Sequence, residues 1–354
     1  MICEGSVLPI ARYRFVVRMA GNLRLPEFAG SLLRGQFGAA LRRTACMTGE
    51  SRCDGCGLRQ TCPYPAIFDA PAPQEHALQK FSQVPNSYVI EPPPLGTPSV
   101  QAGGVLYFHM VLAGRSLEQL PLIAHAWTRA FAQGIGHDRI RGEVEEIALV
   151  ESPTTLLADS GTLPHAAILV WDAGAQRILP HEARLRVPAF PAIDALALSI
   201  HTPLRLQSQG RPLEAKELGP RTLLGQLVRR ASLILEFHAG LPPSGEEASL
   251  VRSSDALHQH KDLRWRDWTR YSTRQQQQMH LGGVIGTWTL AGPSLQPLLP
   301  WLWAGQLLHA GKNATFGMGA YNLRLARPAD VARCVPHSTS HAITVCAEDP
   351  PRRG

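Results

Sequence analysis

Leu307-Leu-His-Ala-Gly-Lys-Asn-Ala-Thr-Phe-Gly-Met-Gly-Ala-Tyr321 joins an apolar helical stretch to a final strand. Behind it, Ser294–His309 reads as a helix interrupted early by Pro297 and Pro300; ahead of it, Tyr321–Ala326 reads as a strand. Gly311, Gly317 and Gly319 allow either a tight turn or close approach of backbone N–H groups to an anion, with Lys312 adding a point charge. The spacing Gly311-x5-Gly317-x-Gly319 departs from the Gly-x4-Gly-Lys-Ser/Thr phosphate loop, and a strand rather than a helix follows. A nucleoside triphosphate site is excluded on that pattern. Upstream, Ala195–Leu206 reads as a strand and Leu263–Arg274 with Gly283–Leu290 as a strand pair. Thr222–Phe237 reads as a helix with Leu223, Leu224, Leu227, Val228, Ala231, Ile234 and Leu235 at helical spacing. The quoted stretch therefore closes a strand–helix–strand–strand–helix–strand unit.

The same order occurs once before. Tyr13, Phe15 and Val17 alternate with Arg12, Arg14 and Arg18, which predicts a strand with one polar face over 8–18. Pro26 opens a helical stretch to Arg43 with Phe28, Leu32, Leu33, Phe37, Ala40 and Leu41 on one broad side. Its glycines, Gly30, Gly35 and Gly38, each cost about 1 kcal/mol relative to Ala and so imply a closely packed neighbour or ligand. Val105–Leu112 reads as a strand, Leu117–Gln133 as an amphipathic helix and Arg139–Val150 as a strand. The expected fold class is α+β, with two tandem ferredoxin-like domains, antiparallel sheets with helices on one face. The expected division is 1–150, with a cysteine-rich insertion at 44–68; a linker or insertion at 151–192; 193–327 with the glycine-rich loop; and a tail at 328–354.

The 354 residues carry 35 Lys+Arg against 28 Asp+Glu, a net charge of +7. With 44% apolar residues the chain is globular rather than disordered. Both ends are basic and the middle is acidic. No acid occurs from Trp268 to Pro328, where Arg270, Arg274, Lys312, Arg324 and Arg327 lie. A polyanion such as nucleic acid is one partner this implies; solvated surface arginine is the other reading. Gln275–Gly311 lacks charged residues, but its prolines, glutamines and His280 leave no window of about twenty apolar residues, so no membrane span is expected. No secretory signal is visible at the N-terminus, and a cytoplasmic protein is expected.

Four of the seven cysteines form Cys46-x6-Cys53-x2-Cys56-x5-Cys62. Thiolates bind soft or borderline cations, and a CxxC pair holds one metal from a single turn. Structural zinc is the expectation; an iron–sulfur cluster or unmetallated thiols are the alternatives. In either metal case the site would staple an excursion of the chain.

The stretch 307–321 resembles the glycine-rich loop of the RAMP superfamily of CRISPR-associated proteins, and more narrowly the endoribonuclease that cuts precursor CRISPR RNA within its repeats. Three more segments agree: Thr202-Pro-Leu-Arg-Leu206 with Gly210-Arg-Pro-Leu213, Arg270-Tyr-Ser-Thr-Arg-Gln275 followed by Leu281-Gly-Gly283, and Leu33-Arg-Gly-Gln-Phe-Gly-Ala-Ala-Leu-Arg-Arg43. The resemblance covers 195–326 well and 25–70 thinly. It implies two ferredoxin-like (RAMP/RRM-like) domains. It also implies RNA cleavage without a catalytic metal: the upstream 2′-hydroxyl attacks the phosphate and leaves a 2′,3′-cyclic phosphate.

Relatives often carry a catalytic His in or just after the first helix. The slot here holds Ala39, and no His precedes His76. His309, three residues from Lys312, is the expected replacement. The expected catalytic set is His309, Lys312 and Arg34. The expected RNA contacts are Arg42, Arg270, Tyr271, Arg274, Gly311, Gly317 and Gly319. The implied partners are CRISPR repeat RNA and CRISPR effector subunits. Two other functions stay open: a non-catalytic RNA-binding RAMP subunit, and a zinc-stabilised protein that binds no RNA.

Overall fold

Alternation along Ile10–Met19 (β1) sends Tyr13, Phe15 and Val17 to one face, where each is buried, and Arg12, Arg14 and Arg18 to the other. The structure, a computed structural model, describes residues 2–71, 84–97, 99–150, 167–267, 269–272 and 277–334. β1 is central in a five-stranded antiparallel sheet. It lies between Val105–Ala113 (β3) and Gly142–Val150 (β4), with Tyr88–Glu91 (β2) beyond β3 and Ala167–Leu169 (β5) beyond β4. Helices Gly30–Ala45 (α1) and Leu120–Gln133 (α2) belong to the inner face. There Phe15 stacks on Phe108 at 4.9 Å, and Trp127 bridges to Phe37 at 5.2 Å. On α2, Leu120, Ile123, Ala124, Trp127 and Phe131, which share one side at helical spacing, are all buried.

The second half repeats the plan with Ala195–Leu204 (β6), Pro220–Ala239 (α3), His258–Arg266 (β7), Gly283–Ala291 (β10), Leu299–Leu308 (α4) and Tyr321–Leu325 (β11). A hairpin, Thr269–Ser272 (β8) with Gln277–His280 (β9), extends between β7 and β10. The sheet order is β7-β10-β6-β11, and the first half reads β2-β3-β1-β4 before its extra edge strand. In both, the four main strands lie in the order second, third, first, fourth. The chain is thus two ferredoxin-like units in tandem.

All seven residues expected at the buried face of α3 are buried. Helix α4 is buried on every side, which suits its lack of charge. Its one amide, Gln306, donates to the Trp303 carbonyl at 3.2 Å and accepts the Leu323 N–H at 2.9 Å.

Several boundaries differ from expectation. Helix α1 starts at Gly30 rather than Pro26, because Phe28 joins a small cluster with Leu281, Phe316 and Met318. Helix α4 starts at Leu299; Pro297 confines the preceding turn to a 3-10 form. The expected linker is structured from Ala167 onward. Leu169 pairs with Ala148, Trp171 enters the first core, and Leu185–Arg186 pairs with Val7–Leu8. The tail is packed as far as Cys334: Asp330 is buried under Arg327 and Arg324, and the Cys334 thiol lies by the Thr289 carbonyl. Residues 335–354 lie outside the described set. Among the described residues no helix is long and apolar enough to cross a membrane.

The halves interlock. The Arg115 guanidinium donates to the Phe237 carbonyl at 2.7 Å, His238 Nε2 donates to the Pro85 carbonyl at 2.8 Å, and Arg266 pairs with Glu27.

Candidate active site

Helix α4 ends at a strained residue. His309 has φ 57° and ψ 158°, a region that costs a non-glycine residue roughly 1–3 kcal/mol. The glycine-rich loop follows, with Gly311, Gly317 and Gly319 all at positive φ. A Cβ at Gly319 would collide with the Ala310 carbonyl, and one at Gly317 with Pro92. The N–H groups of Lys312, Gly317 and Gly319 donate to the carbonyls of Arg205, Ala314 and Pro203 at 2.9, 2.8 and 2.9 Å. These amides are committed to the protein. The loop's glycines serve close backbone packing, and its exposed charge is Lys312.

Helix α1 meets this loop. A Cβ at Gly30 would enter the Phe316 carbonyl, so glycine is what lets the two touch. Arg34 reaches across the contact, 4.3 Å from the Phe68 ring centre and 5.0 Å from that of Phe316, and its Nε donates to the Tyr88 hydroxyl at 3.1 Å. Burial pushes the Tyr88 hydroxyl up to about 12, so it stays a neutral acceptor there. Arg34 and the loop thus meet through packing against Phe316. Arg42 donates to the Glu50 carbonyl and stands 6.0 Å over Tyr64. Ala39, where the resemblance had led to the expectation of a His, is exposed. Arg270 and Tyr271 fall on β8, and Arg274 lies outside the described residues.

The polar chemistry gathers elsewhere, in a cleft of about 480 Å³ between the halves. Arg12 of β1, Glu91 at the end of β2, His109 of β3, His201 of β6 and His309 line it. Each strand residue points away from the helices by the alternation that buries its neighbours. Glu91 accepts from Arg12 Nε at 2.6 Å and faces His309 Nε2 at 3.4 Å. Burial opposes its charge, but Arg12 and His309 overcome that and hold the carboxyl far below the usual carboxylate range. His309 Nδ1 lies 3.1 Å from the Met318 carbonyl. Both ring nitrogens of this buried His therefore face acceptors, and it can satisfy both only by donating twice. His109, 4.0 Å from Glu91, is pushed down to about 4 by burial and by Arg12, so it is neutral near pH 7.

His201 is different. Its Nδ1 lies 3.3 Å from the Ser199 carbonyl, which can only accept, so Nδ1 carries the proton. Its Nε2 has no hydrogen-bond partner among the described residues. Burial against the cleft wall lowers its pKa, opposed by the Ser199 carbonyl and reinforced by the charges of His309 and Arg12. It is an exposed, neutral imidazole with its lone pair available.

Arg12, Glu91, His109 and His201 were not singled out from the sequence. They lie on four different strands with no spacing in the chain to link them: sheet pairing brings Arg12, Glu91 and His109 together, and docking of the halves adds His201. The four cysteines line a separate cavity of about 90 Å³. Among the described residues, no three His, Cys, Asp or Glu side chains are already placed to hold a metal ion.

Two open-faced ferredoxin-like units, joined by a glycine-rich loop that docks on the first helix, define the RAMP class of fold. Residues 198–321 match the family model described as CRISPR-associated endoribonuclease Cas6, and residues 8–183 match one described as an N-terminal domain. Over residues 198–321 the chain accordingly matches the CRISPR-associated endoribonuclease family, and its overall fold is the one seen in Cas6 structures. No curated protein matches it. Among solved structures, a Cas6 product complex aligns with TM-score 0.51 at 15% identity, over 88% of this chain and 99% of that one. A Thermus thermophilus Cas6 aligns with TM-score 0.46 at 16% identity, over 89% and 98%. A RAMP protein described as binding different RNA substrates aligns with TM-score 0.46 at 9% identity, over 88% and 99%.

Proposed function

We propose that the chain cuts precursor CRISPR RNA within its repeats, without a catalytic metal, by attack of the upstream 2′-hydroxyl on the scissile phosphate. The free Nε2 of His201 in the interdomain cleft carries this reading. His201 takes the 2′-hydroxyl proton, the new 2′-oxygen–phosphorus bond forms as the bond to the 5′-oxygen breaks, and the proton returns to that oxygen through solvent. Arg12 stands on the cleft wall for the charge that builds on the phosphorane, and Lys312 for a phosphate at the loop. His309, with both nitrogens engaged, acts as a positioning residue: it fixes Glu91, and through Glu91 the Arg12 guanidinium. Arg34 holds α1 against the loop.

The test is cleavage of a cognate repeat RNA in EDTA. The expected products end in a 2′,3′-cyclic phosphate and a 5′-hydroxyl, and a 2′-deoxy substitution at the cut site abolishes the reaction. His201→Ala should slow cleavage by about 10²–10⁴-fold with RNA affinity nearly unchanged. A cut that requires Mg²⁺ overturns the mechanism; an unchanged rate in His201→Ala overturns the base. The exposed Ala39 favours one competing reading, a RAMP subunit that binds RNA and does not cut it. Tight, salt-sensitive repeat binding with no cleavage under any condition would establish that reading instead.

A further inference from the structure

Between Ala45 and Pro63 the chain makes an excursion with almost no regular structure. Of residues 46–62, only Cys46, Cys53, Cys56, Arg59 and Cys62 are partly buried, and the rest are exposed. Its apolar side chains are left unshielded at the cavity's rim: Met47 is 84% exposed and Leu58 39%. The excursion therefore has no hydrophobic core of its own, and four of its five partly buried residues are cysteines. Its ends are fixed. The Cys46 N–H donates to the Arg42 carbonyl at 2.9 Å, and beyond Cys62 the Phe68 ring lies so close over Gly38 that no Cβ would fit. Within it, the Cys56 N–H donates to the Cys53 carbonyl at 3.2 Å, closing the CxxC turn. All four thiols are free and line one cavity of about 90 Å³. One hydroxyl, that of Thr48, lies 3.8 Å from Cys46 Sγ and 3.6 Å from Cys56 Sγ.

We propose that Cys46, Cys53, Cys56 and Cys62 are the four ligands of one structural zinc ion. Zinc takes four thiolates at about 2.3 Å in a closed tetrahedron and needs no other group. The thiols share the cavity but do not yet stand at that spacing, so binding turns the sulfurs inward by side-chain rotation. Four S–H protons leave as four Zn–S bonds form, no redox change occurs, and the site carries two negative charges. Arg52 and Arg59 line the same cavity with Glu50; Arg59 pairs with Asp54 at 2.7 Å, which leaves Arg52 as the cation that offsets part of this charge. The ion supplies the core that the excursion lacks and ties the end of α1 to the helix Pro63–Phe68.

The test uses the full chain, purified and dialysed into metal-free buffer. Elemental analysis should find about one zinc per chain, and Cys53→Ser/Cys56→Ser should lower it close to zero. Titrating the wild-type protein with a mercurial should release zinc in step with the modification of four thiols. Tryptic cutting after Arg52 and Arg59 should accelerate as zinc leaves. Absence of zinc, iron with visible absorbance, zinc retained in the double variant, or four thiols that react without zinc release would each overturn the proposal. If the double variant does not fold, the wild-type titration decides alone. Cleavage of RNA is not among the readouts, so this result stands apart from the catalytic assignment.

Discussion

Glu91 is the residue on which the cleft turns. Among the described residues it is the one cleft carboxylate, 14% exposed, shared between Arg12 of its own half and His309 of the other. Removing it leaves a guanidinium and an imidazole facing each other without an anion. Glu91→Ala should lower stability by about 3–5 kcal/mol, the usual cost of breaking a largely buried pair, measured by urea unfolding. The histidines set the pH response. The folded chain holds His109 down at about 4, and His201 and His238 are also lowered. Unfolding frees these rings to protonate near pH 6.5. Stability is then full above about pH 6.5 and is lost as pH falls towards 4. The depressed Glu91 adds to the loss once the pH drops below the ordinary carboxylate range. Thermal melts between pH 7.5 and 4 should show a falling midpoint; a flat profile over that window would contradict the enclosure of His109 and His238. None of this was legible in the sequence. Glu91 reads as the residue before three prolines, and His201 as a single His on a strand, until a second sheet stands opposite.

Helices and strands were the legible level. Alternation in β1 and helical spacing in α2 and α3 mark faces that are indeed buried, because a period of 2.0 or 3.6 is itself the signature of a half-buried element. Boundaries at prolines were less so: Pro26 is compatible with a helix start, and tertiary packing of Phe28 moves that start to Gly30. The glycines of α1 separate packing from propensity. Gly30 and Gly38 each face a neighbour that a Cβ would strike, whereas Gly35 has nothing within 4 Å. Gly30→Ala should destabilise by about 1–3 kcal/mol through overpacking against the loop. Gly35→Ala should stabilise by about 0.5–1 kcal/mol, since only the helix backbone feels it. Calorimetric melts of the two variants, differing in sign, check the α1–loop contact directly. Equal effects of both would mean that Phe316 does not sit where it is described.

At the scale of the molecule, the two halves share a plan and divide the labour. The repeat of element order was visible in the chain, and it carries the tandem fold. The interface was not visible, since its contacts join Glu27 to Arg266, Pro85 to His238 and Glu91 to His309 across long separations. These contacts predict one cooperative unfolding transition in which both cores melt together. Calorimetry that resolved two well-separated transitions would show the halves to be independent. The seat of Phe316 against Gly30 has a consequence for biosynthesis. Helix α1 leaves the ribosome long before the loop that covers its start has been made. Until then Gly30 and one side of Arg34 lack the loop that covers them, so nascent chains and chains truncated before Gly311 should depend on chaperones and be cut readily by proteases near α1. Acquisition of protease resistance during translation should coincide with emergence of the glycine-rich loop.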